Sequence, residues 1–115
     1  MIAGAEKTGR NTRALIDQMV GRIVSRYDPE KIILFGSQAQ GKAVGDSDVD
    51  LLVIMRVDGT IRALTVELGV MLNDIPVSKD IVVTRPADFE RRRNLAGTIE
   101  GAADREGQVL YSRKR

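Results

Sequence analysis

The sequence predicts one domain of the α/β or α+β class, in which helices alternate with short strands. Apolar residues recur at helical spacing in two segments, 12–27 and 60–74. Short apolar runs, a common form of buried strands, lie at 31–35, 51–55 and 81–83. A chain of 115 residues is long enough for one compact domain and too short for two. All of these segments are therefore expected to share one core.

The first half of the chain is predicted to contain one long helix and two strands. Asp28-Pro29 ends the helix, because a proline disfavours helical geometry in the residue before it. Gly41, Gly45 and Ser47 indicate a loop before the second strand. The predicted elements are a flexible segment at 1–11, a helix at 12–27, a strand at 31–35, a turn or short helix with a loop at 36–47, and a strand at 48–55.

The second half is predicted to contain three helices and two strands. Thr60 can cap the first of these helices, and Pro76 forbids its continuation. Gly107 is suited to the C-terminus of the last helix. The predicted elements are helices at 60–74, from Pro86 to Arg93 and at 98–106, strands at 79–83 and 108–111, and a basic tail at 113–115. The single domain is expected to span 12–112.

Composition excludes several classes of chemistry. The chain has neither cysteine nor histidine, so disulfides, thiolate nucleophiles and imidazole metal sites are absent. Catalysis would have to use carboxylates, hydroxyls, lysine, arginine and hard metal ions. A net charge of +2 and the scarcity of aromatic residues do not support direct nucleic-acid binding. We expect a cytoplasmic protein without a membrane span or signal peptide.

The candidate active site lies at the end of the first predicted strand and at the beginning of the second. Gly36-Ser37 follows the first strand, where glycine permits close approach of a ligand and the serine hydroxyl can bind a phosphate oxygen. Asp48 and Asp50 open the second strand and should point to the same face. Two carboxylates so close repel each other, and Mg²⁺ is the usual relief. An ordinary turn beside solvated acids is the alternative.

A third acid strengthens the prediction of a metal site. Asp80 also stands at the opening of an apolar strand, so three carboxylates converge if the two strands are neighbours. Such a set could hold two Mg²⁺ ions about 4 Å apart, in the arrangement used for in-line displacement. The alternative is a surface acid paired with Lys79 or with an arginine.

Two other patterns are interpreted as structural. The run from Gly36 to Lys42 resembles a P-loop, but Ala43 stands where that motif requires serine or threonine. Arg91-Arg92-Arg93 could contact a nucleotide, but cations at a helix C-terminus are the preferred interpretation.

Taken together, these motifs resemble the signature of the DNA polymerase β-like nucleotidyltransferase superfamily. The resemblance rests on Gly36-Ser37, the spacing to Asp48-Val49-Asp50, the third acid Asp80, and the ending from Gly97 to Tyr111. It covers about 12–112 and is closest to the minimal nucleotidyltransferases, small stand-alone proteins. The resemblance implies a small mixed sheet of about four strands flanked by helices.

The resemblance also implies an activity and a partner. Asp48, Asp50 and Asp80 would bind Mg²⁺, and Asp80 would assist deprotonation of the acceptor hydroxyl. Gly36 and Ser37 would hold the triphosphate of ATP or another NTP. A nucleoside monophosphate would move to a hydroxyl and release pyrophosphate. Members of this group are typically paired with a helical HEPN protein, in several cases a toxin that the antitoxin adenylylates on tyrosine.

One departure from the family pattern leaves alternatives open. The family turn commonly reads Gly-Ser-x-Ala-Arg-Gly, and here Gln40 replaces the arginine. A neutral amide cannot offset phosphate charge as a guanidinium does. A weakly active module that neutralises its partner by occlusion is therefore one alternative. Transfer to a small-molecule hydroxyl, with a homo-oligomer supplying the acceptor pocket, is another.

Overall fold

The computed structural model describes the backbone of residues 3–41 and 48–113, with side chains from Thr12 onward. Helices and strands alternate as predicted. They are α1 (Ala3–Tyr27), β1 (Lys31–Phe35), α2 (Gly36–Ala39), β2 (Val49–Ile54), α3 (Ile61–Met71), β3 (Lys79–Thr84), α4 (Pro86–Arg92), α5 (Ile99–Glu106) and β4 (Gln108–Ser112).

The four strands form one mixed sheet, in the order β3-β2-β1-β4. β1 pairs antiparallel with both β2 and β4. β2 and β3 pair in parallel, and α3 supplies the crossover connection that parallel neighbours need. The predicted fold class, a small mixed sheet flanked by helices, is thereby confirmed.

Alternation along the strands divides the core between two faces of the sheet. One face packs on α1 and α3, where Leu51 and Val53 of β2 meet Met19 and Leu68. The intervening residues of β2, including Leu52, belong to the other face, which packs on Phe89 of α4 and Ala103 of α5. Asp50 belongs to this second face because it lies two residues before Leu52.

Helix α1 begins at Ala3, nine residues before the predicted start at 12. Alanine, glutamate, lysine and arginine in this segment favour helix strongly enough to offset its two glycines. The hydrophobic period, which set the predicted start at 12, indicates which helix face is buried and does not by itself locate the end of a helix. The predicted flexibility of 1–11 stays a prediction.

The remaining predicted boundaries agree with the structure within a few residues. Thr60 caps α3 and Thr98 caps α5, each by accepting a backbone N–H bond. The predicted tail differs at Arg113, whose backbone N–H bonds the Glu30 carbonyl and whose guanidinium contacts the Asp28 carbonyl. Arg113 is thus joined to the turn before β1. Residues 42–47 and 114–115 lie outside the described residues.

A search of the described helices finds none long and apolar enough to cross a membrane.

Candidate active site

Parallel pairing of β2 and β3 brings two of the predicted acids together. Asp50 and Asp80 are direct partners in the register, so both side chains lie on the same face of the sheet. Asp48 stands one residue before β2 and is exposed, as is Asp80, whereas Asp50 is half-buried. The second and third strands are thus neighbours, which was the condition for the acids to converge.

The electrostatics of Asp50 reflect this arrangement. Partial burial raises the pKa of its carboxyl group above the usual value, and the negative charges of Asp80 and Asp48 raise it further. The charged form of Asp50 is therefore destabilised in the free protein. A bound divalent cation would reverse that effect, because it favours the deprotonated carboxylate.

Gly36 is required directly beside the acids. β1 ends at Phe35, which is the register partner of Asp50. The backbone φ of Gly36 is +74°, a conformation that side chains rarely adopt. A Cβ atom at Gly36 would lie 2.3 Å from Oδ2 of Asp50. The carboxylate therefore occupies the space that any other residue at position 36 would fill.

Ser37 is half-buried in the first turn of α2, which starts at Gly36 without a side-chain cap. The first N–H groups of a helix have no partner within the helix, and their dipole favours anions. Gly36 thus lies beside Asp50, and Ser37 follows it in the first turn of α2.

The donor set fits a hard divalent cation such as Mg²⁺, which prefers carboxylate oxygens. Among the residues the structure describes, no three acidic side chains are already gathered closely enough to hold an ion. Asp50, partly buried and repelled by two like charges, is the residue at which a cation would relieve the largest cost. Asp48 and Asp80 are exposed and can turn toward it.

Residues in and just before the edge strand β4 hold the Gly36-Ser37 turn in place. Gln108 donates from Nε2 to the carbonyl of Ala39 at 2.7 Å. Gln40 donates from Nε2 to Oε1 of Glu106 at 3.1 Å. Gly107 lies between Glu106 and Gln108 in the chain. A Cβ atom at Gly107 would meet Ile33 Cγ2 at 2.5 Å and the Leu34 carbonyl at 2.8 Å. We refer to the two glutamine bonds together as the turn clamp.

Sequence reasoning missed the role of the turn clamp. It identified Gln40 as a departure from the family turn, but not the bond to Glu106. The partners are separated by 66 and 69 residues, and neither periodicity nor motif spacing connects positions so far apart. The signal in the sequence that could have indicated these contacts is a glycine between two polar residues at the start of the last strand.

The arginine run is mainly engaged within the protein, in agreement with its structural interpretation. Arg91 bonds Asp88, and Arg93 bonds both Glu90 and Asp104. At the end of β3 opposite to Asp80, the Thr84 hydroxyl donates to the buried Glu100 at 2.9 Å. Thr84 and Glu100 are separate from the acids of the candidate active site.

Comparisons with known proteins agree with this architecture. A family profile described as Polymerase beta, Nucleotidyltransferase matches residues 18–115. A proposed protein adenylyltransferase from Methanocaldococcus jannaschii is 31% identical over an alignment of 108 residues that covers 88% of this chain and 99% of the relative.

Solved structures share the fold. A proposed nucleotidyltransferase from Sulfolobus solfataricus superposes with a TM-score of 0.65 at 17% identity, covering 98% of this chain and 90% of that one. A toxin–antitoxin structure with AMP-PNP gives 0.52 at 20% identity, covering 84% and 73%. A MntA-HpeT toxin–antitoxin variant with two aspartate-to-glutamate changes gives 0.51 at 19% identity, with the same coverage.

The fold and the family match define the class of this protein as a small nucleotidyltransferase. The chain belongs to the Polymerase beta nucleotidyltransferase family, whose profile covers residues 18–115 and so includes every strand and every helix after α1.

Proposed function

We propose that this nucleotidyltransferase moves AMP from ATP to a hydroxyl group of a partner protein, with a tyrosine of a HEPN-type toxin as the acceptor. The observation that carries the proposal is the in-register pair Asp50 and Asp80 beside Gly36. The acceptor class is supported by the relative from Methanocaldococcus jannaschii, which is named for protein adenylylation. Two toxin–antitoxin structures of the same fold support a protein partner and an antitoxin role.

In this proposal the triphosphate binds against the Gly36-Ser37 turn. Backbone N–H groups and the Ser37 hydroxyl donate to phosphate oxygens, and Gly36 permits the close approach. Asp48, Asp50 and Asp80 hold Mg²⁺, with two ions as the expected number. When bound, the metal neutralises phosphate charge and stabilises the leaving pyrophosphate.

The transfer step needs little covalent chemistry from the protein. The acceptor oxygen attacks the α-phosphorus of ATP, and the bond from that phosphorus to the α–β bridging oxygen breaks. Pyrophosphate leaves with the electron pair of that bond. Asp80 accepts the proton of the acceptor hydroxyl, because it is exposed on the open edge strand where an acceptor can approach.

Labelled ATP tests the proposal. The purified protein, Mg²⁺ and the candidate toxin are incubated together, and label transferred to the toxin is measured on a denaturing gel. Asp48→Asn with Asp50→Asn is expected to reduce the initial rate by about a hundredfold or more, because both metal ligands are lost. Asp58→Asn is the matched control, since it removes an exposed acid in the loop after β2, outside the candidate site.

Equal labelling by the double variant and the parent would contradict the assigned acids. If the double variant transfers no label yet still silences the toxin, occlusion explains the antitoxin effect and transfer is not required. Calorimetry of ATP and Mg²⁺ binding with each variant separates loss of the metal site from loss of the acceptor interaction.

A further inference from the structure

β3 is an edge strand with main-chain groups that have no described partner. The amides of Val49 and Met55 bond the carbonyls of Ser78 and Thr84. In a parallel pair, the main-chain groups of every second residue point toward the partner strand. These two bonds therefore show which residues of β3 direct their main-chain groups toward β2. The N–H and C=O groups of Lys79, Ile81 and Val83 therefore face outward. Within the described residues, no hydrogen bond to these outward groups is formed.

A groove runs along the C-terminal half of this edge, which we call the β3 groove. Its volume is about 410 Å³, and it is lined by residues from both layers of the fold, including Ile61, Val82, Val83, Arg92, Ile99 and Glu100. Ile99 is 44% exposed and contributes apolar surface on one side. Polar main-chain groups along the edge and apolar walls beside it are the features by which proteins bind an extended peptide.

We infer that the β3 groove docks an extended segment of a partner polypeptide as an additional strand. The outward main-chain groups of Lys79, Ile81 and Val83 would form the hydrogen bonds. A segment in this position also passes Asp80, because β3 begins there. Its hydroxyl residue opposite Asp80 then projects to the same face as Asp80. Only this last step, delivery of the acceptor, rests on the proposed function.

The side chains of the groove define the chemistry of the occupant. Asp80, Val82 and Thr84 share one face of β3, and the ends of this series are about 13 Å apart. Arg92 lines the groove near Thr84, and among the described residues it has no ion-pair partner. The fitting segment carries a hydroxyl residue at one position, an apolar residue two positions along, and an acidic residue two further, opposite Arg92.

The other edge of the sheet is less suited to strand addition. The pairing of β4 with β1 shifts register between Ile32 and Ile33. Such an irregularity twists an edge and disfavours further pairing. The two edges therefore differ, and the edge beside the candidate active site is the regular one.

Amide hydrogen exchange of the ¹⁵N-labelled protein tests the docking without ATP or metal. In the free protein, the amides of Ile81 and Val83 are expected to exchange faster than those of Val82 and Thr84, which face β2. The probes are the peptide Thr-Tyr-Thr-Val-Thr-Glu-Thr and its reverse sequence, since the strand can add in either direction. Binding is expected to slow exchange at Ile81 and Val83 at least tenfold at saturation.

Two sets of matched variants test the geometry. Arg92→Glu is expected to weaken the peptide about three- to tenfold, and replacing the peptide glutamate by lysine should restore binding. Arg105→Glu is the control, because Arg105 is exposed on α5 and does not line the groove. N-methylation of every second peptide residue should abolish binding when the methylated amides are those that face β3. Methylation of the other set of amides should leave binding intact.

The outcomes separate the docking from the chemistry. The inference is overturned if neither peptide binds at millimolar concentration, if bound peptide leaves Ile81 and Val83 unprotected, or if these amides are already protected in the free protein. Peptide that docks as described but receives no label from ATP supports the docking and counts against the proposed transfer. A toxin that is labelled while Ile81 and Val83 stay unprotected supports the transfer and overturns the docking.

Discussion

At position 36, backbone conformation and close approach exclude a side chain independently. The positive φ of Gly36 disfavours every other residue, and the carboxylate of Asp50 fills the space beside its Cα atom. Gly41 has a similar φ of +71° but nothing within 4 Å of its Cβ position. The two glycines therefore allow the cost of the backbone conformation to be separated from displacement of Asp50.

Gly36→Ala is expected to abolish Mg²⁺-dependent ATP binding as well as destabilise the fold. Both Gly36→Ala and Gly41→Ala should lose about 1–2 kcal/mol for the left-handed backbone, but only the first pushes Asp50 from its place. Chemical denaturation gives the stability of each variant, and calorimetry gives its affinity for ATP with Mg²⁺. Parent-like affinity in Gly36→Ala would show that the position of Asp50 is not needed for binding.

Among the elements, α2 depends most on its neighbours. It has only four residues, from Gly36 to Ala39, and a helix of one turn is not stable alone. Its carbonyl at Ala39 is held by Gln108, and Gln40 is held by Glu106. The last helix and strand, which carry none of the predicted acids, thus set the position of the Gly36-Ser37 turn.

Gln108→Ala is expected to raise the KM for ATP about three- to tenfold with a smaller change in kcat, because the turn becomes less ordered before nucleotide binds. Gln108→Glu should behave similarly, since a carboxylate cannot donate to the Ala39 carbonyl. Initial rates of label transfer over a range of ATP concentrations provide the measurement. Val109→Ala controls for changes on β4, since Val109 is 56% exposed.

An unchanged KM in both Gln108 variants would show that the clamp does not position the turn. An equal fall in thermal stability and activity, with KM unchanged, would assign Gln108 a purely structural role.

Across the whole molecule, polar contacts join α1 to α3 on the outside of their shared layer. Arg22 donates to both carboxylate oxygens of Asp74, at 2.6 and 3.0 Å, and to the carbonyl of Met71. Tyr27 donates to Glu67 at 2.6 Å. The Arg22 hydrogen bond is the main cause that lowers the pKa of Asp74 below its usual value.

Asp74→Asn is expected to lower Tm at pH 7 by a few degrees at most, because the pair is largely exposed. The folded-state pKa of Asp74 is below the unfolded value of about 3.9. Its stabilising contribution is therefore present above that pH and is lost as pH falls through the folded-state pKa. Thermal unfolding at pH 7 and at stepwise lower pH should show the two proteins converging.

Asp58→Asn is the control for this pH series, because it removes an exposed carboxylate in the loop after β2 and leaves the Arg22–Asp74 pair intact. If the difference in Tm between Asp74→Asn and the parent is the same at the lowest pH as at pH 7, the ion pair is not the source of that difference.

Local pattern in the sequence determined the elements and most of the candidate site. Apolar runs and capping residues located β1, β2, β3, α3, α4 and α5, since those signals act within one or two turns of chain. The resemblance singled out Gly36, Ser37, Asp48, Asp50 and Asp80 as one site. The neighbourhood of β2 and β3, which the site requires, was only a condition at the level of sequence, and the structure meets it.

Only the tertiary structure decided how distant segments meet. It placed the Asp50 carboxylate against Gly36, joined Gln108 and Glu106 to the short helix α2 and Gln40, and left the outer edge of β3 without a strand partner among the described residues. These features depend on strand order, register and side-chain contacts between residues as far apart as 69 positions. Neither helical nor strand periodicity carries that information, because each reports only which face of its own segment is buried.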